Sequence, residues 1–408
     1  MVINMKKNNL YSYIIILFVM FTFSTLTYTL WPNFFPLNKI LGFLLITLLL
    51  MTIGISVKRN MLFILFFSII SCFVSILFSL VNSYDLQQGI MDAIYWFVTI
   101  MLLQLIKDDD FNKSLYCELN KKTSFIRFIC IILNVLTLIC IFIPSCYRVN
   151  WEGRYFVGLG FSEHAMASGL CLLEVLNFHI LSKKEKVKII DFIIYVPAFV
   201  GILQTGARTF LIPIFIILIL SYKYFIKEKT IRILILPITI FGVIILLSKT
   251  NIFLKFETTL TINNNRTLLS TFSNGRSDFW QLDFNAFKKY NIIHKLFGNG
   301  FDFVYNYNYI NYYGSKIWAH NDFINTLLSS GILGILLYLK SIIDCNKKYY
   351  KNTKNKMLTI LIFMYFIWVW VINGLFALQH FFYSYIILYI ILSNDDIFKK
   401  DNKEKLEK

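Results

Sequence analysis

Apolar runs of about 20 residues, separated by short polar stretches, recur along almost the whole chain. They fall near 10–30, 38–56, 61–80, 88–106, 125–144, 163–181, 189–205, 208–226, 231–248, 320–340, 357–374 and 376–393. The runs are continuous and lack the inside/outside alternation that barrel strands need. The pattern predicts an all-α polytopic membrane protein with about twelve transmembrane helices. The run Leu10–Leu30 follows Lys6-Lys7 in the manner of a signal peptide. It is too long for one and no small-residue cleavage site follows, so it reads as the first span. A tight turn at Gln204-Thr205-Gly206-Ala207 joins the seventh and eighth runs. The rhythm breaks once, at a polar stretch of roughly seventy residues from Lys249 to Ala319.

Charge sets the orientation. Clusters such as Lys58/Arg59, Lys183/Lys184/Lys186/Lys188, Lys347/Lys348/Lys351 and the tail Lys399–Lys408 alternate with loops that hold only Lys39, Arg148, Arg154 or Arg208. Placing the N-terminus in the cytoplasm satisfies every short loop. Nine spans precede the long loop, so it lies outside the cytoplasm, between the ninth and tenth helices. The chain then divides into residues 1–248 (helices one to nine), 249–319 (the extracytoplasmic loop) and 320–408 (helices ten to twelve and a basic cytoplasmic tail).

Composition narrows the class. The chain is 57% hydrophobic and only 15% charged, far from a soluble domain. Its net charge of +17 is scattered in short clusters and forms no single basic patch, which argues against nucleic acid. The seven cysteines include no CxxC pair and no metal-ligand spacing. No P-loop is present. No metal and no cofactor is implied.

Within the loop, Ser273-Asn274 is placed to cap a helix starting near Gly275, with Trp280, Phe284 and Phe287 on one face. A run of tyrosines (Tyr305, Tyr307, Tyr309, Tyr312, Tyr313) and Trp318 follows. These rings suit stacking on sugars and interfacial anchoring equally well.

Several polar residues collect on the outer side. Arg208 opens the eighth run; it reads either as a snorkelling helix-end arginine or as a planar fork for phosphate oxygens. Arg276 is either a solvated loop charge or an anion ligand, with Gly275 allowing close backbone approach and a helix start favouring anions. His320 is an interfacial histidine or a general base, and Asn321 beside it is placed to orient a substrate. Nearby arginines would favour the neutral imidazole. Glu163-His164 and Gln379-His380 open the sixth and twelfth runs; they either line the same cavity or pack at the interface. Glu174 lies deeper in the sixth run and either functions there or pairs with a polar neighbour. Gly331 and Gly334 read as close helix packing.

In order, these residues are Thr205-Gly206-Ala207-Arg208-Thr209, Gly275-Arg276 with Trp280, Phe297-Gly298-Asn299-Gly300, His320-Asn321-Asp322-Phe323 and Gly331-Ile332-Leu333-Gly334. The series resembles the Wzy/O-antigen ligase superfamily of bacterial membrane glycosyltransferases. The ligase branch commonly has Ser where Ala207 stands here. The resemblance implies metal-independent transfer of a glycan from an undecaprenyl (polyprenyl) diphosphate carrier, with inversion, on the outer face of the bacterial plasma membrane. It implies Arg208 and Arg276 as diphosphate ligands and His320 as the base. Trp280, Gly275, Gly300, Asn321, His164, Gln379 and His380 are the further substrate-binding candidates. Partners on this view are the lipid-linked oligosaccharide, the bilayer, a flippase and a chain-length regulator.

The leading expectation is a surface-polysaccharide (O-antigen or capsule) polymerase. The alternative is a ligase that moves the finished chain to lipid A core or protein. A lipid-linked sugar flippase predicts deep substrate residues and repeats, and neither is visible. A non-catalytic scaffold predicts that Arg208, Arg276 and His320 are dispensable.

Overall fold

A computed structural model describes residues 2–31, 36–56, 59–82, 85–150, 153–226, 228, 276–314, 316–374, 379–395 and 398. The candidate span 231–248, the first part of the long loop, the Ser273-Asn274 cap and Gly275 lie outside the described residues, and so does the Gln379 side chain.

The described chain is overwhelmingly helical. Its first half holds α1 (Val2–Leu26), α2 (Leu37–Ser56), α3 (Arg59–Val81), α4 (Leu86–Leu105), α5 (Asp109–Lys121), α6 (Thr123–Ile141), α7 (Glu163–Ser182), α8 (Val196–Gln204) and α9 (Leu211–Phe225). After the undescribed stretch come α10 (Arg276–Lys289), α11 (Ile292–Phe297), α12 (Phe303–Asn308), α13 (Asp322–Thr353), α14 (Lys356–Ile372) and α15 (Gln379–Asn394). Among the described residues, seven helices are long and apolar enough to cross a membrane, and four shorter apolar helices accompany them. The protein is an all-α membrane protein. Two features were not expected from the hydropathy pattern. One is α5, a polar helix capped by Asp108, whose carboxylate accepts from the Asp110 and Phe111 amides at 3.1 and 3.0 Å. The other is an antiparallel hairpin in which Tyr147–Asn150 pairs with Gly153–Phe156, Tyr147 opposite Phe156.

The bundle is organised around α7, which is buried along nearly all its length and is packed by α1, α6, α8, α9 and α15. A helix so enclosed keeps most of its polar groups bonded. Asn177 meets Asn134 of α6 at 3.1 Å, Glu174 at 3.4 Å and the Ile194 carbonyl at 3.2 Å. Glu174 therefore belongs to an internal polar ladder, the second of its two sequence readings. The two ends of α7 differ sharply. Its N-terminus carries His164, while beyond its C-terminus Lys183 pairs with Asp395 at 2.7 Å. Lys107–Asp344 and Lys348–Asp109 ion pairs sit at that same lysine-rich end.

The helix α13 is broken. Gly331 has φ +68° and ψ −164°, outside any helical geometry. The break leaves the Leu328 and Ser329 carbonyls without helical partners, and the Gly298-Asn299-Gly300 segment supplies them. The Asn299 amide donates to Leu328 O at 2.9 Å and the Gly300 amide to Ser329 O at 3.1 Å. Ser75 Oγ of α3 also donates to Ser329 O, at 2.9 Å. Gly298 (φ +80°) faces the Ser329–Ser330 backbone, and a Cβ on Gly331 would lie 2.6 Å from the Gly298 nitrogen. Gly331 therefore does serve close helix packing, as expected: its nearest neighbours are the Leu296 backbone atoms at the end of α11, with the Gly298 nitrogen just beyond.

This lock predicts a stability effect. Gly331→Ala and Gly298→Ala should each lower thermal stability in detergent by at least about 1–2 kcal/mol, from the left-handed backbone alone. Gly314→Ala, where φ is +62° but nothing lies within 4 Å, should lose no more than that backbone share.

Candidate active site

Five side chains from five helix ends meet at the end of the bundle opposite the lysine clusters. Arg208 follows a turn in which Gly206 takes φ +65°. Thr205 fastens that turn by donating to Ile202 O at 2.7 Å and accepting from the Ala207 amide at 3.2 Å. Arg276 is the first residue of α10. His164 is the second residue of α7, whose Ser162 cap accepts from the Ala165 amide at 3.3 Å. His320 directly precedes the α13 cap, and Asn373 ends α14. Arg208, Arg276, His164 and His320 all keep partial solvent access.

The contacts among them are specific. Asn373 Oδ1 lies 3.1 Å from His320 Nδ1, and Asn373 Nδ2 lies 3.5 Å from His164 Nδ1. The Arg276 guanidinium donates to the Ile372 carbonyl, one residue before Asn373. The Trp318 indole N–H is directed at His320 Nδ1 as well. Phe210 and Phe381, 5.5 Å apart, form an apolar floor near His164.

His320 is held in an uncommon conformation, φ +50°. A left-handed histidine costs about 1 kcal/mol or more and persists only where its surroundings impose it. The flanking chain is tied from three sides. Trp280 Nε1 donates to Ala319 O at 2.7 Å, the Ala319 amide to Asn325 Oδ1 at 3.2 Å, and Asn308 Nδ2 to Ile317 O at 3.0 Å. Trp280 thus links α10, which begins with Arg276, directly to the segment that carries His320.

Electrostatics follow from this crowding. Burial, and then the Arg208 charge, pull the Arg276 guanidinium down to about 10, so it remains a cation at neutral pH. Burial first, then the Arg276 charge, push the His320 imidazole well below its usual range, with Asn373 opposing the shift. His320 is therefore neutral at pH 7. The starts of α7, α10 and α13 all lie at this site, and their exposed amides add positive potential.

The remaining candidates take other places. Asn321 is buried, and its Oδ1 caps α13 by accepting from the Ile324 amide at 3.2 Å. Gly300 (φ +100°) is enclosed by Ser79, Asp302 and the Ser75 backbone. His380 stacks on Phe21 of α1 at 4.6 Å. The helix expected after Gly275 forms, but its face is rotated. Phe279, Asp283 and Ala286 are the buried residues, Trp280 and Phe287 flank them, and Phe284 is 41% exposed. The rotation brings in Asp283, a carboxylate that hydropathy alone assigns to the outside. Among the tyrosines, Tyr305 turns toward Asp92 and lies 6.4 Å from Trp318, whereas Tyr309 is exposed.

Asn373 and the bonding role of Trp318 were not foreseen. The available signal was Asn373-Gly374 closing an apolar run, a usual helix-end pair. Comparison with protein-family models and with curated proteins finds no match for the chain.

Asp283 yields a prediction. Burial raises its carboxyl to about 8, beside the Asn308 side chain. An unfolded aspartate titrates near ~3.9, so the folded chain holds an extra proton between these values. Its contribution to stability therefore falls as pH rises across that window. Asp283→Asn should flatten this part of the melting-temperature profile and raise stability at pH 8 relative to wild type.

Proposed function

We propose that this protein is a surface-polysaccharide polymerase of the Wzy/O-antigen ligase type, in the bacterial plasma membrane. It transfers a glycan from an undecaprenyl diphosphate-linked donor to a hydroxyl of a lipid-linked repeat unit. The observation that carries this reading is the meeting of two arginines and a neutral histidine at the ends of helices, away from the lysine-rich end. In this proposal the span 231–248 completes twelve, the lysine-rich end is cytoplasmic, and the Arg/His end faces outward.

The chemistry needs charge where the leaving group forms and a base where the acceptor loses its proton. His320 Nε2 accepts the proton of the acceptor hydroxyl. The oxygen attacks the anomeric carbon from the face opposite the lipid diphosphate, and the sugar–phosphate C–O bond breaks with inversion. The leaving diphosphate takes the bonding electron pair, and Arg276 and Arg208 hold its new negative charge. Two neighbouring guanidiniums repel each other, so an anion between them relieves that repulsion most when its charge peaks. Trp280 sets the distance between the two halves by joining α10 to the His320 segment. The flippase and the chain-length regulator remain the partners this role calls for.

A deletion strain complemented with variants tests the proposal. With equal membrane expression, His320→Ala should abolish the high-mass glycan ladder and leave single repeats on their final acceptor, a loss of about 10²–10⁴ in rate. Arg276→Lys keeps the charge and loses the planar fork, and should cost about 10²-fold. An unchanged ladder in His320→Ala contradicts the proposal, and long chains retained on the carrier point to the ligase. In wild type, because His320 stays neutral, transfer should hold as pH falls through about 6.5 and decline only below it.

A further inference from the structure

A neutral imidazole has one N–H and one lone pair, and a base acting through Nε2 needs its proton on Nδ1. Two side chains meet Nδ1 of His320, and they require opposite states. The indole N–H of Trp318 can only donate, so it selects the Nδ1 lone pair and sends the proton to Nε2. Asn373 Oδ1, 3.1 Å away, can only accept, so it selects Nδ1–H. The far end of the same amide, Nδ2, faces His164 Nδ1 at 3.5 Å. Turning the amide over does not resolve the conflict. It would set two donors, Trp318 Nε1–H and Asn373 Nδ2–H, against one lone pair.

We propose that Asn373 is the positioning residue that selects the basic tautomer of His320, and that Trp318 holds the opposing, idle tautomer until its indole leaves Nδ1. This rests on the reading of His320 as the base. When His320 takes the hydroxyl proton on Nε2, the imidazolium carries hydrogens on both nitrogens. Its Nδ1–H then donates to Asn373, and no lone pair remains for Trp318. The bond to Trp318 therefore opposes proton uptake, and the bond to Asn373 assists it. The other charged and titratable groups facing the ring are Arg276 and His164, with Arg208 beyond Arg276. All of these disfavour the imidazolium, so Asn373 is the group that offsets them. Trp318 lies on the segment 316–320, outside any helix and half-buried beside Tyr305, so a turn of its ring displaces no helix.

Nitrogen NMR on histidine-labelled full-length protein, in phosphatidylethanolamine/phosphatidylglycerol vesicles without substrate, reads the tautomer directly. The His320 signal is identified by its loss in His320→Ala. Trp318→Phe should place the proton on Nδ1, and Asn373→Leu should place it on Nε2. The same tautomer in both variants overturns the proposal. In cells, Trp318→Phe should keep the high-mass ladder and Asn373→Leu should lose it. Asn373→Asp, which keeps the acceptor, should restore the ladder and move the acid limb of transfer to higher pH, an effect that simple loss of packing does not produce. If Asn373→Leu does not fold, Asn373→Asp and Trp318→Phe decide. Loss of the ladder in Trp318→Phe, or no restoration by Asn373→Asp, counts against the proposal. If the tautomers exchange while His320→Ala still makes the ladder, the base reading fails, and what stands is the selection of the His320 tautomer by Asn373 and Trp318.

Discussion

The break in α13 at Gly331 is the constraint on which the Arg/His half of the molecule depends. Inside a membrane protein, a helix can be interrupted only where other groups satisfy its freed carbonyls. Here the backbone of Asn299 and Gly300 does so, with Ser75 adding a third donor. The arrangement requires glycine on both sides, because each Cβ would enter the other strand of backbone. It fastens the segment 298–300 to a transmembrane helix, and α12 follows from that fixed point. Asn308 of α12 in turn bonds Ile317, and so the lock reaches the segment that carries His320.

A site built from helix ends has a physical logic. Each helix start offers unpaired amides and a partial positive charge, and each is held by the rigid body behind it. The ends of α7, α10 and α14 supply His164, Arg276 and Asn373, and His320 lies on the short segment just ahead of the α13 cap, fixed by the bonds to Ile317 and Ala319. The same crowding keeps His320 neutral and Arg276 charged, which are the states a base and an anion ligand need. The φ of +50° at His320 is imposed by the bonds that hold Ile317 and Ala319 on either side of Trp318.

The helices were legible because burial in lipid and burial in protein both require continuous apolar runs. The observed ends of α4, α6 and α7 fall within a few residues of the hydropathy limits. Arg208, Arg276 and His320 were legible because a cation or histidine at a helix end stands out against an apolar background. Asn373 did not stand out, since an asparagine at a helix C-terminus is the commonplace stop signal and its two histidine partners lie 53 and 209 residues away. The buried face of α10 lies about one position away from the one hydropathy marks, since hydropathy cannot anticipate an aspartate packed inward. The Gly298–Gly331 contact was visible only as two separate glycine motifs; their pairing is a fact of tertiary structure.

Reconstitution tests the central claim most directly. The purified protein would be placed in liposomes with a single lipid diphosphate-linked repeat unit, and the products analysed by mass spectrometry. The account predicts new glycosidic bonds between repeats, with one free polyprenyl diphosphate released for each bond. Repeat units that merely change leaflet, or that stay unjoined while the protein is folded, would contradict it.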